Sequence, residues 1–108
     1  MASFIWQTKN VDHIATHGVL PEEAEYVVAH SRRPYPEYLG DGKFRVRGQT
    51  VVGRYLQVIY IFAVNARDIE WSDVDLTRCD PHDADLFYVV HAMELPAGEK
   101  RLYRRRIR

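Results

Sequence analysis

The run His17-Gly18-Val19-Leu20-Pro21-Glu22-Glu23-Ala24 both closes a helix and opens the next one. Gly18 suits the left-handed backbone that ends helices. Pro21 fits a first helical position because it has no N–H to leave unpaired. Glu22 and Glu23 then stand where the positive end of a helix favours carboxylates. Such a segment forces two helices into a tight junction. His17 falls in the last turn of the first helix, where partial negative charge favours its protonated form and poises it for proton transfer.

The elements around the junction follow from periodicity. Phe4-Ile5-Trp6 reads as a short first strand. A helix over about 11–17 follows, capped by Asn10 or, one turn earlier, Thr8. Val11, Ile14 and Ala15 face the core, with His13 and His17 along one edge. The second helix runs from Pro21 to about His30 and buries Ala24, Val27 and Val28. Pro34 and Pro36 prevent its continuation. Lys43-Phe44-Arg45-Val46-Arg47 alternates strictly and reads as a half-buried strand, with three cations on one face. Tyr55 to Phe62 is apolar on nearly both faces, as a central strand covered on both sides would be. Asp85 to Ala92 is another strand, and Pro96 starts a last helix with Glu99 in its first turn and arginines in its later turns. The order is strand, two helices, an antiparallel sheet of about four strands, and a C-terminal helix: one α+β domain over 1–108.

Charge is balanced in total, fifteen cations against fifteen anions, but not in place. Lys100 to Arg108 holds six cations and no anion, whereas Arg67 to Asp85 holds seven anions against two cations. Segregated blocks carry a local field unless they neutralise each other. The acidic stretch at about 65–83 has no clear period and reads as a long, mobile loop or a separate interaction element, with Trp71 available to pin it. The lone Cys79 forms no internal disulfide and suits a reducing compartment. No apolar run approaches a membrane span and the start lacks a secretory pattern, so a cytoplasmic protein without membrane contact is expected.

His13 and His17 have the i, i+4 spacing to chelate a metal from one helix. The Glu that follows the first His in zinc proteases is absent, since Ile14 stands there, and spacing shows no third ligand. No metal site is therefore expected, and no nucleotide-binding fingerprint calls for another cofactor. Hydrolase elbows are absent, and nothing marks Cys79 as activated. There remain cations beside aromatic and histidine residues. Lys43, Arg45, Arg47, Arg54 and the tail arginines, among them Arg104 and Arg105, suit a phosphate backbone. Tyr55, Tyr60, Tyr88 and Tyr103 offer stacking surfaces. Metal-independent RNA cleavage needs a base, an acid and cations, and His, Lys, Arg and Tyr supply them. An exposed cationic sheet face over core tyrosines accounts for the same residues.

Three segments fit one family pattern. Phe4-Ile5-Trp6, followed by His17-Gly18-Val19-x-x-Glu22-Glu23-Ala24, resembles the opening of the BrnT family of ribonuclease toxins. Arg47-Gly48-Gln49-Thr50-x-x-Gly53-Arg54-x-Leu56 is similar to its central hairpin. Val89-Val90-His91-Ala92 through Glu99-Lys100-Arg101-Leu102-Tyr103 aligns with its Ile-Ser-Ala-Arg…Glu-Arg-x-x-Tyr ending. The resemblance implies a RelE-like α+β fold, cleavage of RNA, and silencing by a cognate antitoxin protein. It makes His17 and Arg54 candidate active-site residues, with Glu99 and Tyr103 on the closing helix.

The chain also departs from that pattern. His91-Ala92-Met93 replaces Ser-Ala-Arg, which removes a cation, and His91 can substitute as acid or base while Arg45 supplies charge. Thr16 stands where the family has a basic residue, and Pro21 replaces the junction Phe. The expected site is thus His17, Arg54, His91, Glu99 and Tyr103 for chemistry, with Lys43, Arg45, Arg47, Arg104 and Arg105 on RNA. The alternative is a non-catalytic relative that binds a partner protein or RNA, motivated by Met93.

Overall fold

The strand richest in apolar residues lies at the centre of the sheet. In the computed structural model, which describes residues 2–107, strands β1 (Ala2–Ile5), β2 (Glu37–Gly40), β3 (Lys43–Gln49), β4 (Tyr55–Phe62) and β5 (Asp85–Glu94) form one sheet in the order β1-β5-β4-β3-β2. Helices α1 (Thr8–Ala15) and α2 (Pro21–Ala29) follow β1, and α3 (Ala97–Arg106) follows β5. The α+β class and the order of elements agree with expectation. The sheet has five strands rather than about four, because Glu37–Gly40 pairs with β3 at the edge. It is also not wholly antiparallel, since β1 runs parallel to β5.

Helix α1 begins at Thr8, three residues before Val11, and its cap is Gln7. Asn10 is neither cap nor surface. It is buried inside the helix, and its Oδ1 accepts the Gln7 N–H at 2.8 Å. Ala15, expected in the core, is exposed. The helix closes through Val19 N–H to the Ile14 carbonyl (3.1 Å) and Gly18 N–H to the Ala15 carbonyl (2.9 Å), with Gly18 at φ +70°. These are the paired bonds of a Schellman ending, which places His17 immediately before the left-handed residue. Val19 then packs in the core with Ile14. Pro21 is the first residue of α2, and Glu23 Oε1 accepts the Leu20 N–H at 3.1 Å.

One sheet face meets the helices. Val46, Val58 and Ala92 lie in register across three strands and join Ile14, Ala24, Val27 and Tyr103 in the main core. Gly48 lies in the same face, and a Cβ there would approach Val27 Cγ1 to 3.3 Å. The close approach of α2 to β3 explains a glycine inside this strand.

The opposite face is covered by the acidic segment. Val74 and Cys79 form a second cluster with Ile5 and Tyr88, against Ile61, Leu86 and Val90. Gln7 accepts the Glu70 N–H at 2.9 Å and donates to the Asp68 carbonyl at 2.9 Å. Asp75 N–H reaches the Trp6 carbonyl at 2.8 Å, Thr8 bonds Asp73, and Ser3 bonds Asp83. The stretch expected as a loose loop is therefore docked. Its anchors are Val74 and Cys79, while Trp71 is 45% exposed. Among the described residues no ion pair joins this segment to the basic tail. Arg106 pairs with Glu37, whereas Asp68 pairs with Lys9 and Asp75 with Arg78. No helix of the described residues is long and apolar enough to cross a membrane.

Candidate functional site

Strand β1 ends where Ile5 pairs with Tyr88, so β5 runs on with a free edge. Helix α1 takes that place. Asn10 Nδ2 donates to the carbonyls of Ile5 (2.9 Å) and Val89 (3.1 Å), which satisfies the edge beyond the last β1 residue. The helix is thereby fixed along β5, with His13 and His17 at its closing end.

A bulge in β5 completes the arrangement. Ile59 pairs with His91 and Tyr60 with Val89, which leaves Val90 as the extra residue. Val90 packs in the second cluster, and His91 meets the helix. His13 Nε2 lies 3.3 Å from His91 Nδ1. Ring centroids are 4.9 Å apart for His17 and His91 and 5.7 Å for His13 and His17. The nearest ring nitrogens of all three fall within 4.8 Å of one another. His13 and His17 are exposed and His91 is half-buried. Burial, and then the neighbouring His17 and His13, lower the pKa of His91.

A cavity of about 410 Å³ adjoins the cluster, lined by His13 together with Lys9, Arg67, Asp68 and Tyr88. Lys9 Nζ is 3.4 Å from Asp68. Sequence reasoning missed Arg67 at this site because the docking of the acidic segment places it; Lys9 stands on α1 four residues before His13. That reasoning set His17 and His91 in one site, and His13 beside His17 on one helix edge, but not the three imidazoles together.

Arg54 is close to the cluster but not free. Its Nη2 lies 3.6 Å from where a Cβ on Gly18 would stand. Its Nη1 donates to both oxygens of Glu23, at 3.0 and 3.1 Å, and Glu94 is 3.8 Å from Nη2. Arg54 thus reaches α2 on the helix-covered side, whereas Arg45 lies on the other face, so the two do not share one RNA-facing surface. Arg45, Ile59 and His91 are in register, which sets Arg45 two strands, about 10 Å, from His91. Its guanidinium is 3.1 Å from Glu37. Met93 is in register with Gln57 and Arg47. Arg47 is therefore the cation of the row in which Met93 stands, but its side chain is only 7% exposed and is bound to Gln57 (2.9 Å) and Glu99 (3.2 Å).

The other expected residues lie apart from the imidazoles. Glu99 is committed to Arg47. Tyr103 is 3% exposed, against Tyr35 and Tyr55, and burial raises its pKa. Tyr60 and Tyr88 are likewise buried, which removes them as stacking surfaces. Lys43 is exposed at the start of β3. Arg104 covers Tyr55 and donates to its hydroxyl at 2.9 Å, and Arg105 is exposed on α3. The residues expected to form one site with its RNA-binding cations are thus divided. The imidazoles gather, and the arginines of the sheet are neutralised by Glu23, Glu37, Glu94 and Glu99.

Comparison of this chain with protein-family models, with curated proteins and with solved structures finds no match.

Proposed function

We propose that this protein is a metal-independent endoribonuclease of the toxin type, with a BrnT-like plan and a cognate antitoxin protein that silences it in the cytoplasm. The observation that carries the reading is the convergence of His13, His17 and His91 beside an open cavity holding Lys9 and Arg67. RNA cleavage without metal requires one group to accept the 2′-OH proton as that oxygen attacks phosphorus, and another to protonate the departing 5′ oxygen. His91, whose pKa is lowered, suits the base. An exposed imidazole of His17 or His13 suits the acid. Arg67 and Lys9 line the cavity together with His13 and can meet the charged phosphorane.

The ion-paired state of Arg45, Arg47 and Arg54 favours a second reading, a non-catalytic module that holds RNA or a partner protein. Expression in a bacterial host separates the two. The nuclease arrests growth and degrades total RNA, and a folded His17→Gln variant with His91→Gln does neither. Salt-sensitive RNA binding with intact RNA assigns the protein to the second reading.

A further inference from the structure

We propose that His13, His17 and His91 form a binding site for a divalent transition-metal ion of the zinc class, with three imidazole ligands and an open coordination position. The site is independent of the nuclease reading. Its donor set is all nitrogen. Magnesium and calcium require oxygen ligands, whereas imidazole suits zinc, copper, nickel and cobalt. Three histidines plus an exchangeable ligand is a known zinc arrangement, and zinc–nitrogen bonds of about 2.0–2.1 Å put tetrahedral ligand atoms about 3.4 Å apart. The His13 Nε2 to His91 Nδ1 distance is already 3.3 Å. One ligand atom from each of the three residues lies within 4.8 Å of the others, close to the spacing that such a site requires.

The scaffold fixes the ligands from two directions. The Schellman ending locks His13 and His17 relative to each other, and Asn10 holds α1 against β5. The bulge at Val90 sets His91. Two of the ligands are exposed, which leaves solvent access to the remaining position. Metal and proton compete for the same imidazole nitrogens, so a bound ion takes the lone pair that a base would use. If the nuclease reading also holds, zinc is an inhibitor and chelation restores activity.

The test uses the full chain without a polyhistidine tag, stripped with EDTA and exchanged into metal-free buffer. Titration with Zn²⁺ against a chromophoric chelator reads affinity and stoichiometry, and Co²⁺ reads geometry by its visible absorption. The expected result is one ion per chain in the micromolar range or tighter, with a tetrahedral Co²⁺ spectrum. His91→Gln and His13→Gln each weaken binding by at least about tenfold, while His82→Gln and His30→Gln, outside the cluster, leave it unchanged. Circular dichroism confirms that each variant is folded. His17→Ala provides a second route to the same loss should either glutamine variant fail to fold. No saturable binding below about 100 μM, a binding free energy of only about −5.5 kcal/mol, overturns the site, as does equal loss in the His82 variant. No RNA is present, so this failure is distinct from failure of the nuclease reading.

Discussion

His13 Nε2 stands 3.3 Å from His91 Nδ1, although 78 positions of sequence separate the two residues. The contact depends on two unrelated devices, an asparagine that holds a helix to a strand edge and a bulge that resets the strand. One imidazole must donate and the other accept, so at least one of the two is neutral in this arrangement.

That contact has a pH signature. Burial and the two neighbouring histidines lower the pKa of His91 from its usual 6.5. The folded state then binds this proton less readily than the unfolded chain. The stabilisation is complete above about pH 6.5 and is lost as pH falls through the lower folded value. Imidazole resonances in EDTA are expected to show His91 titrating below 6.5. The fall in thermal stability between pH 7 and pH 5 is expected to be shallower in His91→Gln. A His91 midpoint above 6.5 contradicts the packing described.

Asn10 is the residue on which the cluster is built. Asn10→Ala leaves the Ile5 and Val89 carbonyls and the Gln7 N–H without their partner. A loss of about 2–3 kcal/mol is expected in urea unfolding. A change within about 0.5 kcal/mol, the level of an ordinary surface substitution, contradicts the role assigned to this side chain.

Glu23 and Arg54 form a partly buried pair, with 19% and 25% of their side chains exposed. A double-mutant cycle with Glu23→Gln and Arg54→Gln is expected to give a coupling energy of about 1 kcal/mol. Strictly additive single losses exclude the locked arginine described.

The docked acidic segment makes Cys79 a reporter. Burial, then the charges of Asp80 and Asp83, raises its thiol pKa. Reaction with an aromatic disulfide reagent at pH 7.5 is expected to be at least about tenfold slower than in denaturant. Val74→Ala is expected to cost about 1–2 kcal/mol and to speed that reaction. Immediate labelling of the native protein contradicts docking.

Local chemistry made much of the fold legible. Gly18 and Pro21 state where helices end and begin, and the alternation through Phe44 and Val46 states which face of β3 is buried. Other features depend on distant partners. Strand β2 is short and lies between Pro36 and Gly42, without a period of its own, and is a strand because β3 pairs with it. Val74 and Cys79 are single apolar residues among acids, and only the exposed sheet face beneath them explains their burial. The spacing of His13 and His17 was visible and His91 was a candidate, but the meeting of all three depends on a bulge that no residue type announces. The arginine pattern was equally visible, and the carboxylates that occupy it arrive from α2, β2, β5 and α3.

The most direct test of the imidazole centre is analysis of the ends produced when purified protein acts on a defined single-stranded RNA in EDTA. Cleavage that leaves 2′,3′-cyclic phosphate ends, and falls by about 10²–10⁴-fold in folded His91→Gln, is the predicted result. Intact RNA, or cleavage that His91→Gln leaves unchanged, contradicts it.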